Sequence, residues 1–333
     1  MRLKKLGEFN LIRRILGSII PVNDKIRRVM IGPGDDTFVA KLPPGLLLAA
    51  TKDLLVENVH FRLDWITPEQ LGYKAMAENL SDLAAMGACM PLYALIGLAM
   101  PGDTSVDFVD KLYAGMNKIG KKNKLIIAGG DIVSTKKDIV ISITLIGGIK
   151  KEHVVTRSGA AAGDKIFVTG TFGDSGAGLK ILEKGMKKHS KAQKYLINKH
   201  LTPEPRMKES EIISRNKLAT SMIDSSDGLA ASLKFIAQAS GTGADVDLDR
   251  VPVSRQLSSM PEKSLKAGYV GLALNGGEDY ELVFTVKPGK FNLVRKLIPG
   301  ASYIGEITKT GGVKYFKNGL QVKINAGGYQ HFL

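Results

Sequence analysis

Seven aspartates are the residues of this chain whose type and setting could do chemistry together. They are Asp35, Asp36, Asp53, Asp82, Asp131, Asp224 and Asp227. Asp53, Asp131 and Asp224 come at or just past apolar, strand-like runs, which is where α/β proteins place groups that bind ligands. Carboxylates are hard oxygen ligands that suit Mg²⁺, an ion that completes its shell with water and substrate phosphates.

Phosphoryl transfer is the reaction class that such a set favours. It needs little covalent chemistry from the protein, because catalysis rests on positioning and on neutralising charge at the transferred group. Carboxylates repel phosphates, so divalent cations must stand between them. Simpler interpretations stay open: Asp35, Asp36 and Asp131 lie beside glycines and could form turns, and Asp227 could cap a helix. Asp53 could be a solvated strand end.

A helix that begins after Thr67 is the clearest element of the first half. Thr67 suits the N-cap, Pro68 the first helical position, and Gln70 completes a capping box. Asp82 then falls in the last turns, before Gly87, where the helix dipole disfavours an anion by roughly 0.3–1 kcal/mol. A bound metal ion would offset that cost, so a functional interpretation is stronger for Asp82 than for the other aspartates.

Two glycine pairs, Gly129-Gly130 and Gly276-Gly277, directly precede acidic residues. Glycine lets the backbone approach a ligand and leaves N–H groups available for phosphate oxygens, although a tight turn explains the pairs equally well. The second pair opens the segment GGEDYEL, in which three acids surround a tyrosine. These acids could recognise a cationic ring or end a solvated hairpin.

Motifs for other chemistries are absent from the sequence. It contains no P-loop, no protein-kinase motif set, no dinucleotide-binding glycine pattern at the right spacing, and no HExxH, CxxC or GxSxG. Zinc chemistry and the standard hydrolase mechanisms are therefore poorly supported.

The alternation of apolar runs predicts two domains that mix helices and strands. Strand-like runs cover residues 37–40, 46–51, 93–100, 125–128 and 139–149 in the first half. In the second half, runs at 165–169, 221–223 and 281–286 alternate with helix-like stretches at 175–185, 206–218 and 229–239. We place the boundary near Lys150, which gives an N-terminal α/β domain (1–149) and a C-terminal domain (150–333).

Composition narrows the class of protein further. The chain has 333 residues, of which 44% are apolar and 24% charged, ordinary values for a soluble globular protein. The single cysteine, Cys89, excludes an internal disulfide and favours the cytoplasm; its apolar neighbours indicate a small buried residue. Glu8, Arg13 and Arg14 interrupt the N-terminal apolar run, which predicts an amphipathic helix over 8–16 and not a signal peptide.

The net charge of +15 comes partly from two groups of lysines, at 118–124 and 180–199. A solvated helix face and turn explain these groups. Binding to RNA or to an anionic membrane is the alternative, but no aromatic platform or nucleic-acid motif accompanies the lysines. No apolar stretch approaches the roughly 20 residues that a membrane span needs. We therefore expect neither nucleic acid nor membrane as a partner.

Several longer motifs carry a family resemblance. They are NLSDLAAMGA, VTRSGA, VTGTFGDSGAGL, IDSSDGL and GGEDYEL. With them the chain resembles bacterial thiamine-monophosphate kinase, within the superfamily of aminoimidazole ribonucleotide synthetase-like ATP enzymes, nearly end to end. The resemblance implies an N-terminal domain whose sheet forms a barrel-like homodimer, a C-terminal α+β domain that completes the cleft, and direct transfer of the ATP γ-phosphate to thiamine monophosphate.

The resemblance also implies a role for individual residues. Several Mg²⁺ ions would be held by Asp36, Thr51, Asp53, Asp82, Asp131, Asp224 and Asp227, of which Asp36, Asp82, Asp131 and Asp227 would be catalytic. ATP would contact Tyr113, Gly130, Asp131, Arg157 and Ser226. His60, Glu278 and Tyr329 would line the thiamine phosphate site. Taken singly, His60 could be a buried histidine, Arg157 a solvated loop charge and Tyr329 a packing residue.

Three departures from the family pattern stand out. Lys52 replaces a threonine of the motif around Asp53, which removes a hydroxyl ligand or supplies a cation to a phosphate. Ile132 and Val133 replace two threonines after Asp131. Glu78 occupies a position that is usually apolar. No expected carboxylate is lost, so activity is still predicted.

Two other functions compete with the kinase. One is another ATP enzyme of the same superfamily; the chain has neither the reactive N-terminal cysteine of selenophosphate synthetase nor the C-terminal cysteine of hydrogenase-maturation relatives. The other is a basic RNA- or membrane-binding protein that has lost catalysis.

Overall fold

The computed structural model of the protein describes residues 1–18, 29–31, 37, 39–185, 188–261, 268–309, 311–324 and 327–328. The chain divides into two compact units. The first comprises Met1–Leu83 and Cys89–Lys151, and the second comprises Ala84–Ala88 and Glu152–Leu333. None of the helices in the described part of the chain has the length and hydropathy of a membrane span.

The first unit mixes helices with a four-stranded sheet. Its elements are α1 (Leu3–Leu6), α2 (Glu8–Ser18), β1 (Val29–Ile31), β2 (Val39–Ala40), β3 (Leu47–Val56), α3 (Pro68–Ala85), β4 (Met90–Pro101), α4 (Val106–Asn123), β5 (Ile126–Thr135) and β6 (Val140–Ile149). The last two residues of α3, Ala84 and Ala85, are counted with the second unit. The sheet has the order β3-β6-β4-β5, in which only β4 and β5 are parallel. The amphipathic N-terminal helix is confirmed, because α2 buries Leu11 and Ile15.

The predicted capping box at the start of α3 is confirmed. The Thr67 backbone N–H donates to Gln70 Oε1 at 3.1 Å, and the Gln70 N–H donates to Thr67 Oγ1 at 3.3 Å. Close contact with α4 depends on two glycines. A Cβ at Gly72 would lie 1.9 Å from the Leu112 carbonyl oxygen, and one at Gly115 would lie 1.8 Å from that of Glu69. The two helices therefore pack backbone against backbone.

Two strands of the first unit are longer than the sequence predicts, and this changes the setting of two aspartates. Asp53 lies inside β3 and Asp131 inside β5, so the expectation that both sit at or past strand ends is wrong. Polar residues continue these strands because one face of the sheet is open. Leu48 is 65% exposed and Leu54 50% exposed, whereas Leu55, which points the other way, is buried.

The second unit contains a seven-stranded, mostly antiparallel sheet with helices. Its elements are β7 (Lys165–Val168), α5 (Asp174–Glu183), α6 (Lys191–Leu201), α7 (Met207–Arg215), β8 (Ala219–Asp224), α8 (Leu229–Ser240), β9 (Gly243–Asp247), α9 (Arg255–Ser258), α10 (Gly268–Asn275), β10 (Leu282–Val286), α11 (Phe291–Leu297), β11 (Ser302–Thr308), β12 (Val313–Lys317) and β13 (Leu320–Val322). The strand order is β13-β12-β9-β11-β7-β10-β8.

This second sheet has an apolar core on each face. Side chains of β7 alternate between the cores, so Ile166 and Val168 join one and Phe167 joins the other, where its ring stacks on Phe284 at 5.8 Å. The alternation leaves the strand ends and the following loops to carry polar residues. Cys89, in the first unit, is buried as predicted, and burial raises the pKa of its thiol to about 12.

Candidate active site

A hydroxyl and two carboxylates meet in the first unit, between β3 and α3. Thr51 Oγ1 donates a hydrogen bond to Asp82 Oδ2. Asp53 lies two residues further along β3, on the same face, and also interacts with Asp82. Burial raises the pKa of Asp53 to about 6, helped by charge repulsion from Asp82 and by their hydrogen bond. The three side chains are hard oxygen ligands of the kind that Mg²⁺ prefers.

Asp131 lies apart from this group. It is exposed on β5, where it pairs with Gly97, and its Oδ1 accepts the N–H of Ile132 at 2.9 Å. Among the described residues, no group of three or more His, Cys, Asp or Glu side chains could hold a metal ion. Within the first unit, the described residues thus bring together Thr51, Asp53 and Asp82 and leave Asp131 outside.

The segment IDSSDGL connects β8 to α8 in the second unit. Asp224 ends β8 and is buried, Asp227 is partly buried, and Ser226 is exposed. Asp227 does not cap α8, because Gly228 takes the N-cap position and no side chain makes a capping hydrogen bond. Ser225 Oγ is buried and has no hydrogen-bond partner among the described residues. A buried hydroxyl of this kind calls for a water or a ligand.

The segment GGEDYEL forms a loop pinned to the IDSSDGL segment. The N–H of Glu278 donates to the Ser226 carbonyl at 2.6 Å, and the N–H of Tyr280 donates to the Ser225 carbonyl at 3.0 Å. Glu278 and Tyr280 both have left-handed backbones, with φ of 64° and 52°. Non-glycine residues in this region are strained and concentrate at functional sites. The side chain of Glu278 is 24% exposed.

Two further acids of this loop have partners inside the second unit, so a solvated hairpin end is the wrong interpretation. Asp279 accepts the N–H groups of Gly173 at 2.6 Å and Ser175 at 3.0 Å, at the start of α5. Burial nevertheless raises the pKa of Asp279 well above its usual range. Glu281 accepts two N–H donors from the Arg206 guanidinium and the hydroxyl of Thr169.

Three other residues that were predicted to contact ATP or thiamine phosphate differ in how exposed their side chains are. His60 Nδ1 accepts the N–H of Val56 at 3.1 Å, which places the proton of a neutral ring on Nε2. Arg157 is exposed, with its guanidinium 5.6 Å from the ring centre of Phe235. Tyr113, by contrast, is 4% exposed, so its ring offers almost no surface to an adenine.

Gly130 has a structural reason to be glycine. A Cβ there would lie 1.9 Å from the carbonyl oxygen of Ile96 on the neighbouring strand. Strand packing is therefore sufficient to explain this glycine, and its contact with ATP stays a prediction. Asp36 and Tyr329, predicted for the metal and thiamine phosphate sites, lie outside the described residues.

Two family models match the chain, one for each predicted domain. The AIR synthase related protein N-terminal domain matches residues 34–149, and the AIR synthase related protein C-terminal domain matches residues 161–318.

The relatives that match over most of the chain are thiamine-monophosphate kinases. The one from Buchnera aphidicola subsp. Acyrthosiphon pisum is 38% identical over 307 residues, which cover 90% of this chain and 92% of the relative. The one from Bacillus subtilis is 34% identical over 336 residues, which cover 98% of this chain and 100% of the relative. The chain belongs to the thiamine-monophosphate kinase family.

A solved structure supports the same family at the level of the fold. It is described as AaThiL complexed with AMPPCP and TMP, shares 36% identity with this chain, and has a TM-score of 0.78. The match covers 100% of this chain and 99% of that one. The predicted family and the predicted two-domain fold of mixed helices and strands are confirmed.

The geometry explains why one departure from the family pattern spares the carboxylates. Lys52 lies between Thr51 and Asp53 on β3, so its side chain points to the opposite, open face of the sheet. There its amine donates to Ser142 Oγ. The cation is therefore directed away from the Thr51–Asp53–Asp82 group.

A second departure is buried inside α3. Glu78 and Lys74 are both buried, and their spacing of four residues puts them on the same side of the helix. The third departure leaves Ile132 and Val133 beside Asp131, and Val133 is 51% exposed on the edge strand β5.

Two polar residues of the second unit were missed from the sequence. Arg206 anchors Glu281, and His200 Nδ1 lies 3.0 Å from Glu278 Oε2. Both residues lie in the segment HLTPEPR, at the end of α6 and just before α7. A histidine and an arginine flanking two prolines were the only available signal, and it does not identify their partners about 75 residues away.

Proposed function

We propose that the chain phosphorylates thiamine monophosphate to thiamine diphosphate, with ATP as phosphate donor and Mg²⁺ as the metal ion. The observation that carries the proposal is the family membership, together with a solved relative described with an ATP analogue and TMP. The Thr51–Asp53–Asp82 group supports the metal part of it.

The donor set of that group fits a divalent cation. Two carboxylates in contact repel each other, and the partly buried Asp53, whose pKa is raised, is stabilised in its charged form when a cation binds. When bound, Mg²⁺ would neutralise charge on the phosphates during transfer. The proposed metal ligands remain Asp36, Thr51, Asp53, Asp82, Asp131, Asp224 and Asp227.

The proposed reaction is a direct displacement. A phosphate oxygen of thiamine monophosphate attacks the γ-phosphorus of ATP, the bond from that phosphorus to the bridging oxygen breaks, and ADP leaves. Arg157 presents a planar set of N–H donors to phosphate, and His60 presents its Nε2 proton. Glu278 supplies negative charge for the cationic thiazolium, and Tyr329 an aromatic surface. Gly130, Asp131 and Ser226 complete the proposed ATP contacts; the buried Tyr113 is left out of them.

A homodimer forms part of the proposal. The open face of the first sheet exposes Leu48 and Leu54 on β3 and Val133 on β5, and pairing with a second copy would bury this apolar surface. We expect a molecular mass of two chains by light scattering, and a single chain for Leu54→Lys. A monomeric wild-type protein at micromolar concentration would contradict the dimer.

The proposed cytoplasmic location rests on the single cysteine alone.

One assay tests the kinase. Purified protein is incubated with ATP, Mg²⁺ and thiamine monophosphate, and thiamine diphosphate and ADP are separated and quantified. Equimolar production of both, abolished by a chelator and by omission of thiamine monophosphate, supports the proposal. ADP without thiamine diphosphate points to another ATP enzyme of the superfamily. Absence of turnover together with salt-dependent RNA binding favours the non-catalytic alternative.

A further inference from the structure

A buried histidine in the second unit contacts the carboxylate proposed to face the substrate. His200 lies near the end of α6, and its side chain is 6% exposed. Its Nδ1 is 3.0 Å from Glu278 Oε2 and 3.0 Å from Ser175 Oγ. The reaction as described above uses neither His200 nor Ser175.

The chemistry of the two partners fixes the direction of this contact. An ionised carboxylate oxygen can only accept a hydrogen bond, so Nδ1 must carry the proton that it donates to Glu278. A neutral ring with its proton on Nδ1 directs the carboxylate without cancelling its negative charge. Ser175 Oγ, at the same distance, lies close enough to share that proton.

The helix that carries His200 is capped and closely packed. Helix α6 begins with a complete capping box at Ser190 and Gln193. Its backbone approaches α5 so closely that a Cβ at Gly178 would lie 2.2 Å from the Leu196 carbonyl oxygen. A donor mounted on such a helix holds its partner with little freedom.

The Glu278 backbone is fixed as well, which leaves only its side chain to be set. The strained loop is tied to Ser226 by the Glu278 N–H and to α5 by the carboxylate of Asp279. The Glu278 side chain has several rotamers, and one quarter of its surface reaches solvent. The contact with His200 selects among these rotamers.

We propose that His200 is a positioning residue, whose Nδ1–H holds the Glu278 carboxylate in the orientation that receives the cationic ring of thiamine monophosphate. The inference rests on the proposed function, because that function assigns Glu278 to the substrate site. It predicts a specific kinetic effect: loss of the donor weakens binding of thiamine monophosphate and leaves ATP binding and phosphate transfer nearly unchanged.

Two substitutions at His200 separate the donor from the bulk of the side chain. His200→Leu keeps a buried side chain and removes the donor. His200→Asn places an amide N–H close to the position of Nδ1. His153→Leu, at a partly exposed histidine of the same unit outside the proposed sites, is the control.

We expect His200→Leu to raise KM for thiamine monophosphate about tenfold, which corresponds to about 1.4 kcal/mol. We expect kcat and KM for ATP to stay within about threefold of wild type, and His200→Asn to recover most of the loss. In a Glu278→Gln background, His200→Leu should add little, because the residue it positions has lost its charge. A parallel fall of kcat and melting temperature in both His200 variants, without the KM change, would show a purely structural role and overturn the proposal.

A crystal structure of His200→Leu separates this inference from the proposed function. The expected result is a Glu278 carboxylate displaced from its wild-type position on an unchanged loop. If Glu278 keeps its position, His200 does not position it, whatever the substrate. If instead wild-type protein makes no thiamine diphosphate, the proposed function fails, and the crystal structure alone decides whether His200 positions Glu278.

Discussion

Two acidic groups, a buried one in the second unit and a partly buried one in the first, have opposite kinds of neighbour. In the second unit, Glu281 is 1% exposed and meets the guanidinium of Arg206 through two donors. In the first unit, the neighbour that most affects the charge of Asp53 is another carboxylate, that of Asp82. Each influence on the pKa of Asp53, beginning with burial, raises it.

The difference distinguishes acids that stabilise the fold from acids that need a bound cation. Glu281 has its counter-charge built into the chain, so its burial is compensated at all times. The charged form of Asp53 is destabilised until a cation binds. Acids with such a shifted pKa are typical of functional sites. The motif GGEDYEL therefore contains two acids with structural partners, Asp279 and Glu281, beside one proposed for substrate, Glu278.

The largest effect that would sharpen this comparison is expected for Asp82→Asn. The variant keeps the shape of the side chain and removes one of the two carboxylates, so metal-dependent turnover should fall at least about 1,000-fold, or about 4 kcal/mol in the activation free energy. The melting temperature without metal should not fall. Asp107→Asn, at an exposed position that pairs with Lys111, is the control and should keep full activity. If the melting temperature fell together with turnover, Asp82 would be an acid that stabilises the fold and not a metal ligand.

For Arg206→Met we expect the opposite result, which is a loss of stability and not a specific loss of turnover. Removing the guanidinium leaves Glu281 buried without its counter-charge, which should lower the free energy of unfolding by about 3–5 kcal/mol in a denaturant titration. Arg215→Met breaks an exposed pair with Glu211 and should change that free energy by less than about 1 kcal/mol. A stable Arg206→Met protein with impaired turnover would place Arg206 among the functional residues and break the comparison.

In metal-free protein, the titration of Asp53 should change the free energy of unfolding by at most about 3 kcal/mol. Its pKa is 3.8 unfolded and about 6 folded, a difference of about two units at 1.36 kcal/mol each. Between these values the folded state binds more protons, so the free energy of unfolding falls as pH rises from about 4 to about 6. At higher pH the free energy of unfolding should stay at this lower value.

Asp53→Asn isolates that effect from other titrating groups. The difference between wild type and variant, measured by urea unfolding with a chelator present, should follow the predicted decline, and the variant should be the more stable protein at pH 7.5. Added Mg²⁺ should restore wild type alone. A pH-independent difference would mean that neither burial nor Asp82 raises the pKa of Asp53 in the folded protein.

Local patterns predicted the elements well, but they could not predict which elements meet. The capping box at Thr67 and the apolar run of β7 depend on neighbours within a few residues, and both elements appear where expected. Contact between Thr51 and Asp82 spans 31 residues of chain and needs the packing of α3 on the sheet. No spacing in the sequence encodes it.

The same limit explains the missed partners of the second unit and the correction for Asp53. His200 and Glu278 are about 78 positions apart, so their contact arises only when α6 packs beside the loop. The end of β3 was placed too early because Lys52 and Asp53 are polar. A strand with one open face tolerates Lys52 on that face, and Asp53, on the other face, lies beside Asp82.

The smallest expected effect is that of Lys52→Thr, which restores the residue usual in the family. Because Lys52 lies on the open face beside Ser142, away from Asp53 and Asp82, we expect kcat and the Mg²⁺ dependence of turnover to change by less than about threefold. Ser142→Ala removes the partner of Lys52 from the same face and should be equally mild. A gain of tenfold or more for Lys52→Thr, with tighter Mg²⁺ binding, would mean that this position acts on the metal site despite its orientation. The separation between the two faces of β3 would then fail to explain why Lys52 leaves the Thr51–Asp53–Asp82 group undisturbed.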